Sequence, residues 1–168
     1  TIGSGTTLRL RGDKVNVPMH WLATGNIVMA GHLDLSGDVG TSTTDPFVRR
    51  QLVGLPGAGG FSGGAGGRYD VTPAVPATPG EGPGGGSGGV TTGGGNCSTT
   101  SICGKGAAYA GNRYVVPLVG GSGGQGAYWG GAYFSGGAGG GAILLASSTS
   151  VTLNGPITAS MVPFTPCT

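Results

Sequence analysis

Glycine returns at every third position through long stretches of this chain, and that spacing constrains the fold more than any other feature. Gly54, Gly57, Gly60, Gly63 and Gly66 hold one phase, and Gly120, Gly123 and Gly126 repeat the spacing further on. Gly121, Gly124, Gly130, Gly136 and Gly139 hold a second phase, interrupted at Ala127 and Tyr133. Between them Pro73, Pro76 and Pro79 keep the same interval, followed in phase by Gly82, Gly85 and Gly88. Three residues per turn is the repeat of the polyproline II helix. One face of such a helix is then glycine alone, which lets neighbouring backbones approach closely enough for N–H···O and weaker Cα–H···O bonds.

Collagen shares the period but not the pattern. Here the runs last only four or five triplets, the intervening positions are often Gly, and the phase shifts repeatedly. The sequence therefore predicts several short polyproline II helices of one chain lying side by side. A flexible glycine linker is the competing reading, and composition speaks against it. Gly and Pro supply 41 and 11 of the 168 residues, yet 37% are hydrophobic, 8% are charged and the net charge is +2. Disorder goes with low hydrophobicity or high charge. Phe61, Tyr69, Tyr109, Tyr128, Trp129, Tyr133 and Phe134 are also interspersed, and a solvated linker would hold them poorly.

The two ends of the chain carry a different pattern. Residues 7–11 (TLRLR) alternate with the period of two that marks a strand, as do the segments on either side of Gly31. Residues 27–36 (IVMAGHLDLS) align without a gap to residues 151–160 (VTLNGPITAS), and Leu22-Ala-Thr matches Leu145-Ala-Ser upstream if one residue is inserted. Strand, glycine corner, strand is the pattern of a β-solenoid rung. The expected architecture is one domain, mainly β. Short parallel β-solenoid-like strand layers stand at both chain ends, with a glycine-rich polyproline II insertion packed alongside. Its parts are a strand-rich 1–36, a Gly/Pro-rich 37–141, a strand-rich 142–160 and an extended tail, 161–168.

Residues 136–155 (GGAGGGAILLASSTSVTLNG) resemble stretches that recur in large glycine-rich secreted bacterial surface proteins with β-solenoid-like repeats. Residues 6–13 and 31–37 fit the same pattern. The resemblance implies a cell-surface or extracellular location and no particular chemistry. By period alone, the glycine regions are also similar to snow-flea antifreeze proteins and phage tail-tip adhesins.

Several function classes lose support. The eight basic residues are scattered, with Arg49-Arg50 the only doublet, so no basic stripe marks a nucleic-acid partner. The apolar run at 142–146 is strand-sized, far short of the ~18 residues a membrane span needs. Of three cysteines, Cys97 and Cys103 enclose five residues. That spacing suits a disulfide in an oxidising compartment, with three free thiols as the competing reading and Cys167 left over. Asn96 opens an N-x-S sequon, a glycosylation candidate. His20 and His32 lie far from these cysteines in sequence, and no CxxC exists, so neither a metal nor another cofactor is expected.

Only six acids are present, Asp13, Asp34, Asp38, Asp45, Asp70 and Glu81. Asp34 and Asp38 flank the Ser36-Gly37 corner, the arrangement a polysaccharide-active solenoid enzyme would need on several successive rungs. Arg11-Gly12-Asp13 reads as a strand end entering a turn. Tyr128, Trp129, Tyr133 and Phe134 suit either a glycan-stacking platform or packing and a subunit interface. Threonine pairs lack the constant spacing an ice-binding face demands. The leading expectation is a non-catalytic structural subunit of an extracellular filament or surface layer, partnered by copies of itself through open strand edges at the chain ends and through strand addition by the tail or contact at Cys167. A carbohydrate-binding or adhesin module is the alternative, and a β-solenoid polysaccharide-active enzyme is a further one.

Overall fold

The computed structural model describes residues 1–48, 51–67, 75–86, 114, 116–129 and 131–160. Among these the regular structure is ten short strands and no helix. They are β1 (Thr7–Arg9), β2 (Met19–Ala23), β3 (Ile27–Met29), β4 (His32–Asp34), β5 (Ser42–Thr43), β6 (Ala127–Trp129), β7 (Ala132–Phe134), β8 (Ile143–Ser147), β9 (Val151–Leu153) and β10 (Ile157–Thr158).

Three parallel pairings join the two strand-rich ends. β2 pairs with β8, β3 with β9 and β4 with β10. All three keep a constant separation of 124 residues, as in Met19 with Ile143, Ile27 with Val151 and Leu33 with Ile157. A middle tier, 19–36, thus lies on a last tier, 143–160, residue upon residue. A shorter first tier covers the other side. β1 pairs in parallel with β4, Leu8 opposite Leu33, and Ile2 bridges to Met29. β1 ends at Arg9, so the alternation read over 7–11 extends two residues beyond the strand.

The register corrects one detail of the repeat. No residue is inserted upstream: Trp21, not Leu22, faces Leu145. Side chains of a strand alternate between faces, and Leu22 is an outward residue, 72% exposed, whereas Leu145 is half-buried against the core. The corner glycines are required by stacking. A Cβ on Gly155 would run into the carbonyl of Gly31, and one on Gly31 into the carbonyls of Gly3 and Thr6.

The core belongs to the middle tier. Met29, Leu33 and Leu35 are each exposed by no more than 1%, covered by Ile2, Leu8 and Leu10 of the first tier and by Val15, Met19, Trp21, Ile143 and Leu145. Burying side chains of this size contributes about 1.5–3 kcal/mol each.

The glycine-rich segments are ordered by another device. Phe61 N–H donates to the carbonyl of Gly121 (3.1 Å), Gly121 N–H to Gly140 (2.7 Å), and Gly139 N–H back to Phe61 (2.9 Å). Three residues on, Gly64 N–H donates to Gly124, Gly124 to Gly137 and Gly136 to Gly64, each at 2.8 Å. A second set of lateral bonds shares two of these segments: Glu81 N–H donates to Ser62 and Gly123 N–H to Glu81, then Thr78 to Ala65 and Gly126 to Thr78. The three-residue interval of the sequence is therefore the interval of lateral backbone bonds. Gly141 N–H to Leu35 (2.7 Å) and Ala58 N–H to Leu10 (3.0 Å) fasten this layer to the tiers.

Two departures from the expected middle region stand out. Segment 37–141 also holds an antiparallel sheet in the order β5-β7-β6. Pro76 and Pro79 keep the three-residue interval but are exposed, and Ala77 and Gly80, one residue on, face inward.

The two glycine phases of segment 120–126 are also unequal. A Cβ at Gly123 would be driven into the Ser62 carbonyl, whereas one at Gly124 would meet its nearest neighbour at 3.6 Å, ordinary contact. Overpacking costs about 1–3 kcal/mol or more, while Gly→Ala at a compatible position stabilises by about 0.4–1 kcal/mol. In urea or thermal unfolding, Gly123→Ala is expected to lose at least ~2 kcal/mol and Gly124→Ala to lose nothing. Equal effects would contradict the assignment of phases.

Candidate functional site

Stacking of the tiers brings together side chains that lie far apart in sequence. Arg9 of β1, Asp34 of β4 and Thr158 of β10 occupy one register line. Arg9 reaches Asp34 at 3.5 Å and Asp38 at 2.7 Å; Arg11 reaches Asp38 at 3.4 Å and Asp13 at 3.1 Å; Lys14 lies 3.6 Å from Asp13. Acids and bases alternate along the row. Partly exposed pairs of this kind contribute about 0–1 kcal/mol each, and of the five only Arg9–Asp34 spans the first and middle tiers.

Arg11-Gly12-Asp13 forms the turn that its sequence indicates. Arg11 and Asp13 engage each other, and Gly12 is buried with its N–H on the Pro56 carbonyl at 2.7 Å.

Beside the row, the Thr158 hydroxyl donates to Asp34 Oδ1 at 3.1 Å, and His32 Nε2 lies 2.8 Å from Thr158 Oγ1. A hydroxyl has one proton to give. Since Thr158 gives it to Asp34, His32 Nε2 is the donor to Thr158. A nucleophile activated by histidine needs the opposite direction, hydroxyl to imidazole.

Asp34 itself is held below the usual carboxylate range. Burial opposes ionisation, but the N–H and hydroxyl of Ser36, the hydroxyl of Thr158 and the charge of Arg9 together outweigh it. A general acid needs a shift in the other direction. Asp13 is likewise lowered, with desolvation overcome by Arg11 and Lys14.

The aromatic candidates lie on the β6–β7 hairpin. Tyr128 and Trp129 are on β6, Tyr133 and Phe134 on β7, and Tyr128 stands directly opposite Tyr133. Their rings are 5.1 Å apart at 43°. Tyr133 is 3% exposed, so its ring is a packing element within the glycine layer, where Gly66 approaches its Cβ. His20 is exposed on β2 opposite Leu144. Asn96, Cys97, Cys103 and Cys167, and the tail 161–168, lie outside the described residues. Among the described residues no group of three His, Cys, Asp or Glu side chains is placed to hold a metal, and no helix is long and apolar enough to cross a membrane.

The most distinctive surface is the outer edge of the last tier. Among the described residues β8, β9 and β10 each have a single strand partner. Leu153 and Ile157 are 49% and 38% exposed, although their register partners Met29 and Leu33 are fully buried, and Val151, opposite half-buried Ile27, is 41% exposed. No charged residue occurs in 143–160. Sequence reading placed open edges at the chain ends but did not find Arg9, His32 and Thr158 as neighbours. The repeat alignment already set Asp34 against Thr158, and that was the available signal.

A carboxyl with a depressed folded-state pKa stabilises the fold above its unfolded value, near ~3.9, and that contribution is lost as pH falls through the folded value. The stability difference between wild type and Asp34→Asn should therefore be constant above about pH 5 and shrink below about pH 4. Urea titrations across pH measure it, and a difference that grows on acidification would contradict the assignment.

Compared with family models, with curated proteins and with solved structures, the chain matches none.

Proposed function

We propose that the protein is a non-catalytic structural subunit of an extracellular or cell-surface assembly, and that it associates with copies of itself. In this reading the three tiers are a short solenoid-like stack, and the laterally bonded glycine segments are polyproline II helices packed along it. The observation that carries the reading is the open edge of the last tier. A further tier would bury Leu153 and Ile157 as the last tier buries Met29 and Leu33. Natural edge strands are ordinarily guarded by Lys, Pro or a bulge. In the last tier there is no Lys, and its one proline, Pro156, turns its carbonyl toward Leu33 of the middle tier, away from the free edge.

The extracellular placement rests on the resemblance to glycine-rich secreted surface proteins and on the Cys97–Cys103 spacing. A glycan-binding role at Tyr128 and Trp129 is the alternative, to be read from a glycan array. The polysaccharide-active reading draws no support from Asp34 and Asp38, whose carboxylates are engaged by Arg9.

Sedimentation and electron microscopy of purified protein at rising concentration test the proposal. Wild type is expected to form oligomers or fibres, and Leu153→Lys with Ile157→Lys to remain monomeric and folded, since both positions are solvent-accessible. Strictly monomeric wild type at high concentration would sink it.

A further inference from the structure

We propose that the copies stack head to tail, the free edge of the last tier seating on the free edge of the first tier of the next copy. This inference rests on the self-association reading and names the second surface and its register.

The argument starts from which way each backbone group points. In parallel pairing, alternate residues of a strand serve alternate neighbours. Leu33 and Leu35 N–H donate to Pro156 and Thr158 of the last tier, at 3.0 and 2.7 Å. His32 N–H donates instead to Thr6 of the first tier, and Asp34 accepts there from Leu10 N–H, at 2.9 and 2.8 Å. Inward residues thus bond toward the last tier, and outward residues toward the first. Continued one step, the same alternation turns the N–H and C=O of Ile157 outward from the last tier. At the opposite end it turns those of Thr7 and Arg9 outward from the first.

The two free edges are complementary as the paired ones are. Leu33 faces Ile157 within the chain and Leu8 on its other side. Placing Ile157 over Leu8 of a second copy repeats the relation. The Ile157 N–H then donates to the Thr7 carbonyl, and its carbonyl accepts from Arg9 N–H. Leu153 falls over Ile2, as Met29 does within the chain. The absence of charge in 143–160 leaves nothing to repel the Arg9–Asp34–Asp38 row that would adjoin it. Pairing last tier to last tier would instead set identical strands antiparallel and lose this register. On the third face, β8 and the next copy's β2 stay two strand spacings, about 10 Å, apart, because the first tier has no strand over β2 among the described residues.

Two capped variants of the full chain test the direction. Leu153→Lys with Ile157→Lys closes the last-tier edge. Thr7→Pro closes the first-tier edge at an exposed position whose N–H faces away from β4. Each alone should sediment as a folded monomer, and an equimolar mixture should double in mass and stop there. A benzophenone side chain placed at residue 7 of otherwise unaltered protein gives an independent measurement, expected to cross-link to residues 156–160 of another molecule. An oligomeric wild type whose Thr7→Pro variant still dimerises, or whose cross-links join other segments, would overturn head-to-tail stacking and leave self-association standing. A wild type monomeric at every concentration would overturn both.

Discussion

Lateral hydrogen bonding between backbones is the interaction on which the rest of this structure depends. Glycine has no side chain to bury, and it gives up more conformational freedom on ordering than any other residue. What it offers is access. Where Gly139 passes Gly121, or Gly57 passes Leu35, a Cβ would occupy the place of a carbonyl oxygen. The chain uses this access to bond laterally at three-residue intervals, in closed circuits among 61–64, 121–124 and 136–140 and in open rows from 78–81 to 62–65 and 123–126. One such bond contributes about 1 kcal/mol net, less than ordering a glycine costs, so the layer depends on an ordered partner. The tiers supply it through Leu35 and Leu10, whose carbonyls accept from Gly141 and Ala58.

The tiers in turn depend on chain closure over a long distance. The middle tier's Met29, Leu33 and Leu35 are covered by the first tier on one side and, on the other, by residues 124 positions later that return in the same register. That return also sets Asp34 between Arg9 and Thr158, giving the stack a polar row on one face. A fold that repeats its own tier has an inherent consequence: the last copy of the pattern presents the surface that earlier copies cover. Exposure of Leu153 and Ile157 follows from this, and the proposed role as an assembling subunit grows out of it.

Much of this was legible in the sequence, and the misses are instructive. The gapless match of 27–36 to 151–160 is the pairing found, since stacked tiers need the same inward residues at the same steps. The upstream match went astray because it followed residue identity, Leu22 to Leu145, where the structure follows inward and outward parity. Gly57, Gly63, Gly123 and Gly126 occupy the phase the period assigns, and each faces a carbonyl. Gly124 shares a phase with Gly136 and Gly139 yet tolerates a Cβ, because the nearest backbone there, at Gly137, stands 3.6 Å from that position. The β5-β7-β6 sheet gave no signal: its strands are two or three residues long, and β5 reaches β7 across some ninety residues of chain. The long-range half of the charged row, Arg9 and Arg11 with Asp34 and Asp38, was hidden because those partners meet only in the folded chain.

The central claim is that the glycine-rich segments are ordered by backbone bonds at every third residue. Amide hydrogen exchange on the intact chain, read residue by residue, tests it most directly. The account predicts strong protection of the amides of Phe61, Gly64, Gly121, Gly124, Gly136 and Gly139. Exchange of these amides at the rates of an unstructured chain, with β2, β3 and β4 still protected, would contradict it.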